Sequence, residues 1–216
     1  MNIVIRSYKS TDQASVRQIC CDTADKGEAI ERIFMDRECA ADLLTGYYLT
    51  YEPQACFVAL DDDKVIGYIL ASFDNRRYGL VMAFILIPAV IVKGFKKGLF
   101  FQRSLWVLVK GMIKNWRRLL AWRKESFHSH QAHMHIGVAH GYQRQQVGCR
   151  LVHAVLEYAK TQAIDEITAS VHDGNTRACL FFDHLGFTIR QRYPMVVATE
   201  RSIETYQSLL YVKKIL

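Results

Sequence analysis

The chain has 216 residues, half of them apolar, with 28 Lys/Arg against 21 Asp/Glu and a formal charge of +7. No repeat, low-complexity tract or Pro/Gly/Ser-rich linker divides it, so one domain with a sizeable core is expected and a multidomain or disordered chain is not. Six cysteines (20, 21, 39, 56, 149 and 179), two of them adjacent and none in Cys-x-x-Cys spacing, argue against a disulfide framework or a zinc site and fit free thiols in a reducing cytoplasm.

The N-terminal Met-Asn-Ile-Val-Ile-Arg lacks the apolar core of a secretory leader. Asn2 to Tyr8 alternates as a first strand. Ser10-Thr-Asp-Gln13 reads as a capping box, opening a helix with Val16, Ile19 and Cys20 on its apolar stripe. A second helix is expected from Asp36 to Tyr51. Cys56 to Leu60 and Val65 to Ser72 form a hairpin around the turn Asp61-Asp62-Asp63-Lys64.

Next comes a stretch of different character. Between Arg76 and Lys124 there are twelve Lys/Arg and no Asp/Glu, so the remainder of the chain, with 16 basic and 21 acidic residues, is net acidic. Gly79 to Val92 is apolar all round and interrupted by Pro88, shorter than the roughly 20 residues of a membrane span. Leu99 to Trp122 places Leu105, Leu108, Val109, Met112, Trp116 and Leu119 opposite Arg103, Lys110, Lys114 and Arg117, a basic amphipathic helix. The simplest reading is a helical hairpin packed on a sheet. The alternatives are an anionic membrane surface, met by Trp106, Trp116, Trp122 and the cations, or nucleic acid, which the interior-looking aromatics disfavour.

His128, His130, His133 and His135 follow at alternate or near-alternate positions, but no carboxylate or thiol accompanies them, so no metal is expected. From His135 a short strand (Ile136, Val138) leads through Gly-Tyr-Gln-Arg-Gln-Gln-Val-Gly-Cys-Arg into a helix with Val147, Leu151, Val155 and Tyr158 on one side and Arg150, His153, Glu157 and Lys160 on the other. A strand that turns into a helix aims free backbone N–H groups at the positive end of the helix dipole, a seat for a pyrophosphate. Ile167 to Val171 is the next strand. Asn175 then caps a helix with Ala178, Phe181, Phe182 and Leu185 on its apolar face, closed by Gly186. Phe187 to Gln191 and Ser208 to Lys213 complete the strands.

Gln143-Arg-Gln-Gln-Val-Gly148 resembles motif A of the GNAT family of N-acetyltransferases, Gln/Arg-x-x-Gly-x-Gly/Ala, with Gln146 in place of the first glycine. Asn175-Thr-Arg-Ala-Cys-Leu-Phe-Phe182-Asp-His-Leu-Gly186-Phe187 resembles motif B, Asn-x-x-Ala-x-x-Phe-Tyr-x-x-x-Gly-Phe, with Phe182 in place of the tyrosine. The element order also resembles the GNAT order everywhere outside residues 73–131. The resemblance implies one α/β domain over residues 1–216, a mostly antiparallel sheet flanked by helices, with a basic helical insert at about 75–127 between the third and fourth strands.

It further implies an acetyl-CoA-dependent N-acetyltransferase acting by direct transfer to an amine in a ternary complex. Gln143, Arg144, Gln145, Gln146, Val147, Gly148 and Cys149 would hold the pyrophosphate, Ile136, Gly137 and Val138 the pantetheine and thioester, and Asn175 and Phe182 the pantetheine arm and sulfur. Gln146 would carry a Cβ where the diphosphate approaches, at a cost of roughly 1–2 kcal/mol if its backbone is left-handed. Phe182 keeps the shape of the family's tyrosine and lacks its proton donor.

The family's ribosomal-protein alanine acetyltransferases share the Tyr142-Gln-Arg-Gln145 wording and place a Glu five residues before the motif B Asn, where this chain has Ser170. His133 and His135, on one face of the fourth strand, are the remaining candidates for moving the amine proton. Ile-Cys-Cys-Asp-Thr near residue 20, Asp-Leu-Leu-Thr-Gly-Tyr-Tyr near 45 and Ala-His-Met-His-Ile at 132–136 are similar to bacterial acetyltransferases with such an insert. These in turn are similar to the acetyltransferase-like domain of O-GlcNAc hydrolases. The resemblance therefore also admits a catalytically weak acyl-CoA-binding module serving partner or membrane-surface binding. A cytoplasmic protein is expected, with acetyl-CoA and an amine as partners, an anionic membrane surface as a second contact through the insert, and a homodimer left open.

Overall fold

A computed structural model describes residues 3–32, 36–99, 131–198 and 203–215. Seven strands form one sheet in the order β1-β2-β3-β4-β5-β7-β6. They are β1 Ile3–Ser7, β2 Cys56–Asp61, β3 Lys64–Ser72, β4 Gln131–Val138, β5 Glu166–His172, β6 Thr188–Ala198 and β7 Ile203–Lys214. Every adjacent pair is antiparallel except β4–β5, which is parallel and pairs over only three residues, Gln131 to His133 against Glu166 to Thr168. Beyond His133 the two strands diverge, and the C-terminal half of β4 presents an edge inside the sheet.

The helices are α1 Gln13–Thr23, α2 Arg37–Tyr51, α3 Asn75–Val81, α4 Ile87–Lys96, α5 Val147–Thr161 and α6 Thr176–His184. Period-2 alternation divides the core between the two sheet faces. Val58, Leu60, Tyr68 and Leu70 pack with Val16, Ile19, Cys20, Tyr47 and Tyr48 of α1 and α2. Ala59, Ile69, Ala71 and Met134 pack with Val147, Leu151, Val152 and Val155 of α5 on the opposite face. Ile66 joins the α5 face because a bulge between Ala59 and Leu60 shifts the β2–β3 register by one residue. Asp36 caps α2 by accepting the Cys39 N–H at 2.8 Å. At the first helix the expected Ser10/Gln13 capping pair gives way to Asp12, which accepts the Lys9 N–H at 2.8 Å and both guanidinium nitrogens of Arg6 at 2.7 and 2.8 Å.

β6 and β7 run well beyond the lengths expected from sequence. Pro194 disguises β6, but β6 is the outer strand, where a residue without an N–H leaves no ladder bond unmade. The apolar stretch around Pro88 also differs from expectation. A π-helical turn, Met82–Leu86, joins α3 to α4, so the helix continues from Asn75 to Lys96, 22 residues and long enough to cross a bilayer. Pro88 sits in the first turn of α4, just past the π turn, where its missing N–H is tolerated. The amphipathic helix expected over Leu99 to Trp122 and the residues His128 and His130 lie outside the described residues, except Leu99.

Candidate active site

The loop from Ala139 to Gln146 holds its shape through local bonds. The Ala139 N–H reaches the Ile66 carbonyl at 2.9 Å, the Tyr142 N–H the Ala139 carbonyl at 3.1 Å, and the Gln145 amide the Gly141 carbonyl at 2.8 Å. Gly141, Arg144 and Gln146 have φ of 87°, 62° and 61°. Arg144 and Gln146 thus carry side chains in the left-handed region, each against the steric preference of an L-residue. Such strain turns the chain sharply from β4 into α5 and marks the loop as a functional candidate.

Gln146 is the N-cap of α5, with φ 61° and ψ 5°, and its side chain caps nothing. The helix ladder begins with the Arg150 N–H bonding to the Gln146 carbonyl at 3.0 Å. The first-turn N–H groups of Val147, Gly148 and Cys149 therefore have no partner within the helix and point outward. Gly148 serves a second purpose: a Cβ there would lie 3.0 Å from Phe181 Cε2, so the missing side chain lets α5 approach α6.

These amides open into a cavity of about 450 Å³, within the usual range of ligand pockets. One wall is Ile136, Gly137 and Val138 of β4. The others are the loop and helix start (Tyr142, Gln143, Arg144, Gln146, Val147, Gly148, Cys149), α6 (Asn175, Arg177, Ala178, Leu180, Phe181) and the turn after α1 (Thr23, Lys26, Gly27). Among the described residues the lining includes three cations, Lys26, Arg144 and Arg177, and no carboxylate. With the positive end of α5 they make an anion-attracting wall beside an apolar one.

The β4 wall is polar as well as apolar. The Ala139 N–H bond to Ile66 sets the alternation of the β3–β4 ladder, so Gly137, His135 and His133 exchange backbone bonds with Tyr68, Leu70 and Ser72. Ile136 and Val138 direct their N–H and C=O groups the other way, into the opening left by β5. They are the edge amides of the site, while Gly137 contributes by being small. A Cβ at Gly137 would meet the Tyr68 ring and hydroxyl at 2.7–2.8 Å, so the Tyr68 ring crosses the strand there.

Most of the expected cofactor residues come together, with two corrections. Gln145 does not line the cavity; its side chain ties the loop to Gly141. Phe182 is 3% exposed, stacked on Tyr211 at 5.5 Å and edge-on to Phe187 at 5.1 Å. It is a core residue, and Phe181 faces the cavity instead. Two adjacent phenylalanines on an amphipathic helix give no local sign of which one the core will take. Asn175 lines the cavity and caps α6, its carbonyl oxygen accepting the Ala178 N–H at 3.1 Å. Gln143 accepts from Arg177 at 3.2 Å, which joins the loop to α6.

His133 and His135 share one face, as expected, but it is the face of α1 and α2, and neither lines the cavity. Asn75 donates its NH₂ to the Gln131 carbonyl at 2.8 Å, so its oxygen faces His133 Nδ1, 2.5 Å away. Nδ1 must therefore carry the proton, and Nε2 accepts from the Tyr48 hydroxyl at 2.9 Å. Both ring nitrogens are engaged, leaving none for a relay, which corrects the expectation at that position. His135 Nδ1 lies 3.4 Å from the Tyr68 hydroxyl. Burial pushes both imidazoles down to about 4, for His133 with a smaller contribution from its neighbour His135. Both are neutral at pH 7 and weakly basic. Ser170, at the position of the family's Glu, is exposed on β5.

Sequence reasoning missed the turn after α1. Asp25 and Glu28 bond mutually through their backbones at 2.8 and 2.9 Å, with Lys26 and Gly27 between them at φ 56° and 91°. The pair of positive φ values belongs to a tight two-residue turn. The Asp-Lys-Gly-Glu string is the available signal, but nothing local says that this turn lies across the cavity from α6. Gly27 is favoured there by its φ of 91°, and the Arg177 guanidinium lies over it, 3.3 Å from where a Cβ would be.

A sheet whose fourth and fifth strands part beside the uncapped start of a helix is the framework of the GNAT fold. Residues 111–187, which contain both motifs, match the model described as the Acetyltransferase (GNAT) family. The fold extends over the whole chain. SsHAT superposes with a TM-score of 0.69 at 20% identity, covering all of both chains. The yncA protein of Salmonella typhimurium, solved with its cofactor acetyl-CoA, gives 0.61 at 15% identity, covering all of this chain and 95% of that one. The ribosomal-protein-alanine N-acetyltransferase of Brucella melitensis gives 0.59 at 14% identity, covering 98% and 99%. No curated protein matches the sequence.

Proposed function

We propose that this protein is an N-acetyltransferase that binds acetyl-CoA in the cavity between β4, α5 and α6 and transfers the acetyl group directly to an amine. The observation that carries the reading is the uncapped first turn of α5, whose Val147, Gly148 and Cys149 amides face a cationic cavity at the point where β4 and β5 part. These amides fit a diphosphate, with Arg144, Arg177 and Lys26 adding charge. The Ile136 and Val138 edge fits an extended amide chain as an added strand, and Asn175 keeps its NH₂ donors for the same arm. When bound, acetyl-CoA supplies an activated acyl group and a thiolate leaving group. The edge N–H groups of β4 are the donors available to a developing oxyanion.

Acid and base catalysis are the thin part of the site. Phe182 supplies no hydroxyl, and the two half-buried imidazoles, pushed down to about 4 by desolvation, are poor acceptors for an amine proton. Among the described lining side chains Tyr142 carries the one phenol, packed beneath Lys64 at 5.8 Å from the ring centre. A thiol is acidic enough to depart as a thiolate, so the missing donor slows turnover without forbidding it. The engaged His133 and the core position of Phe182 favour a second reading, an acyl-CoA-binding module without transferase activity.

Titration calorimetry with acetyl-CoA tests the site, and thiol release against a panel of primary amines tests transfer. Binding with release and an acetylated product supports the enzyme. Binding without product supports the module. No binding heat and an unmoved melting temperature overturn both.

A further inference from the structure

The continuous helix Asn75–Lys96 has two unlike faces. Its inner face is fastened to the domain: Asn75 bonds to His133 and Gln131, Tyr78 packs edge-on against His133 at 4.4 Å, Val81 is buried with Met82 and Leu86 beside it, and Lys93 pairs with Asp42 of α2 at 2.6 Å. Among the described residues its outer face is apolar and exposed: Phe84 is 75% exposed and Leu80, Ile85, Ile91 and Val92 are at least half exposed. From Leu80 to Val92 this ridge runs about 18 Å along the helix axis. Arg76 stands at one end and Lys96 at the other, with no acidic residue between them in sequence, while Arg77 lies over the Tyr51 ring at 5.4 Å and Lys97 pairs with Asp36 at 2.7 Å.

We propose that this ridge docks the protein on an anionic membrane surface, with the helix lying in the plane of the bilayer. The chemistry of the ridge selects this occupant. Large apolar side chains concentrated on one helix face exceed what a freely soluble surface usually shows. Cations at both ends match anionic headgroups while their aliphatic stems follow the apolar ridge into the interface. A bilayer also fits the charge asymmetry of the sequence, since residues 76–124 carry twelve cations and no carboxylate. The helix is long enough to span, but its fastened face and the Lys93–Asp42 pair hold it against α2, so only the outer half of its circumference is offered to lipid. Because α3 begins at Asn75, bonded to His133 on β4, docking places the bilayer beside the sheet face opposite α5. The inference is independent of the acetyl-transfer reading.

The test is flotation of the full chain with vesicles of pure phosphatidylcholine and of phosphatidylcholine with phosphatidylglycerol, in low and high salt. Wild type, Phe84→Glu and Ile91→Glu are compared, with melting temperature and oligomeric mass measured in parallel. The expected result is binding to the anionic vesicles, weakened by salt and reduced about tenfold or more in each variant, with melting unchanged. Four outcomes overturn the proposal. Wild type that floats with neither vesicle removes it, and so does equal binding by all three proteins, which would assign the attachment to basic residues elsewhere. A dimer that dissociates in the variants assigns the ridge to a second copy. A melting temperature lowered by several degrees, without vesicle binding by wild type, assigns it to packing by another part of the same chain.

Discussion

Replacing Gln146 by glycine tests the reading of the helix mouth most directly. Gln146 adopts φ 61° and ψ 5°, where an L-side chain costs roughly 1–2 kcal/mol. Glycine removes that cost and returns about 0.5–1 kcal/mol of chain entropy to the unfolded state. The net expectation for Gln146→Gly is about 0.5–1 kcal/mol of stabilisation. For a chain of this size that raises the melting temperature by about 1–4 °C. Removing the Cβ also clears the approach to the Val147–Cys149 amides, and a relief of about 1 kcal/mol there corresponds to roughly fivefold tighter binding of acetyl-CoA. Gln146→Ala is the control: it keeps the Cβ in the left-handed region and should recover neither gain. Differential scanning fluorimetry and titration calorimetry on the three proteins provide the readouts. If the glycine and alanine variants melt and bind alike, left-handed strain at this position is not what the site bears, and the reasoning fails.

Three further outcomes follow from the same structure. Glu52 is 5% exposed and accepts from the Tyr47 and Ser72 hydroxyls at 2.6 Å each and from the Phe73 N–H at 2.7 Å, so Glu52→Ala leaves all three donors without this acceptor. Chemical denaturation should show a loss of about 2–4 kcal/mol, and a loss below 0.5 kcal/mol would refute the network. Asn175→Ala removes the α6 cap at a cost of about 1 kcal/mol and should also weaken acetyl-CoA binding; retained affinity would limit Asn175 to its structural role. The folded-state values near 4 for His133 and His135 lie below the ordinary imidazole value, so between about pH 6.5 and 4 the unfolded chain binds protons that the folded chain does not. Stability should therefore be complete above pH 6.5 and fall as the pH is lowered toward 4. His135→Gln should flatten that fall in a pH series of melting curves, and an unchanged slope would count against the burial of this imidazole.

Much of the architecture was legible because its signals are local. The Val147, Leu151 and Val155 stripe, the Asp61–Lys64 turn, the Asn175 cap and the closing Gly186 each depend on neighbours within a few residues, and each stands where the sequence puts it. The α5 seat belongs to the same class, since a helix that starts without a capping side chain leaves its first amides free whatever the tertiary setting. Even the strain at Gln146 could be anticipated, because it needs only the turn from strand to helix.

What the chain alone did not reveal is decided by contacts between distant segments. Whether Phe181 or Phe182 enters the core depends on Tyr211 and Phe187, which α6 meets only after β6 and β7 are in place. Lys26 and Gly27 reach the cavity because the sheet order brings the turn after α1 opposite a helix about 150 residues later. The same holds for the histidines: alternation gives them a common face, but Asn75 and Tyr48 determine that His133 is held by both nitrogens. Composition marks residues 79–92 as apolar without saying what surrounds them. Only the packing of Asn75–Lys96 along α2 separates a fastened face from an open one, since burial is a property of neighbours in space and periodicity a property of neighbours in sequence.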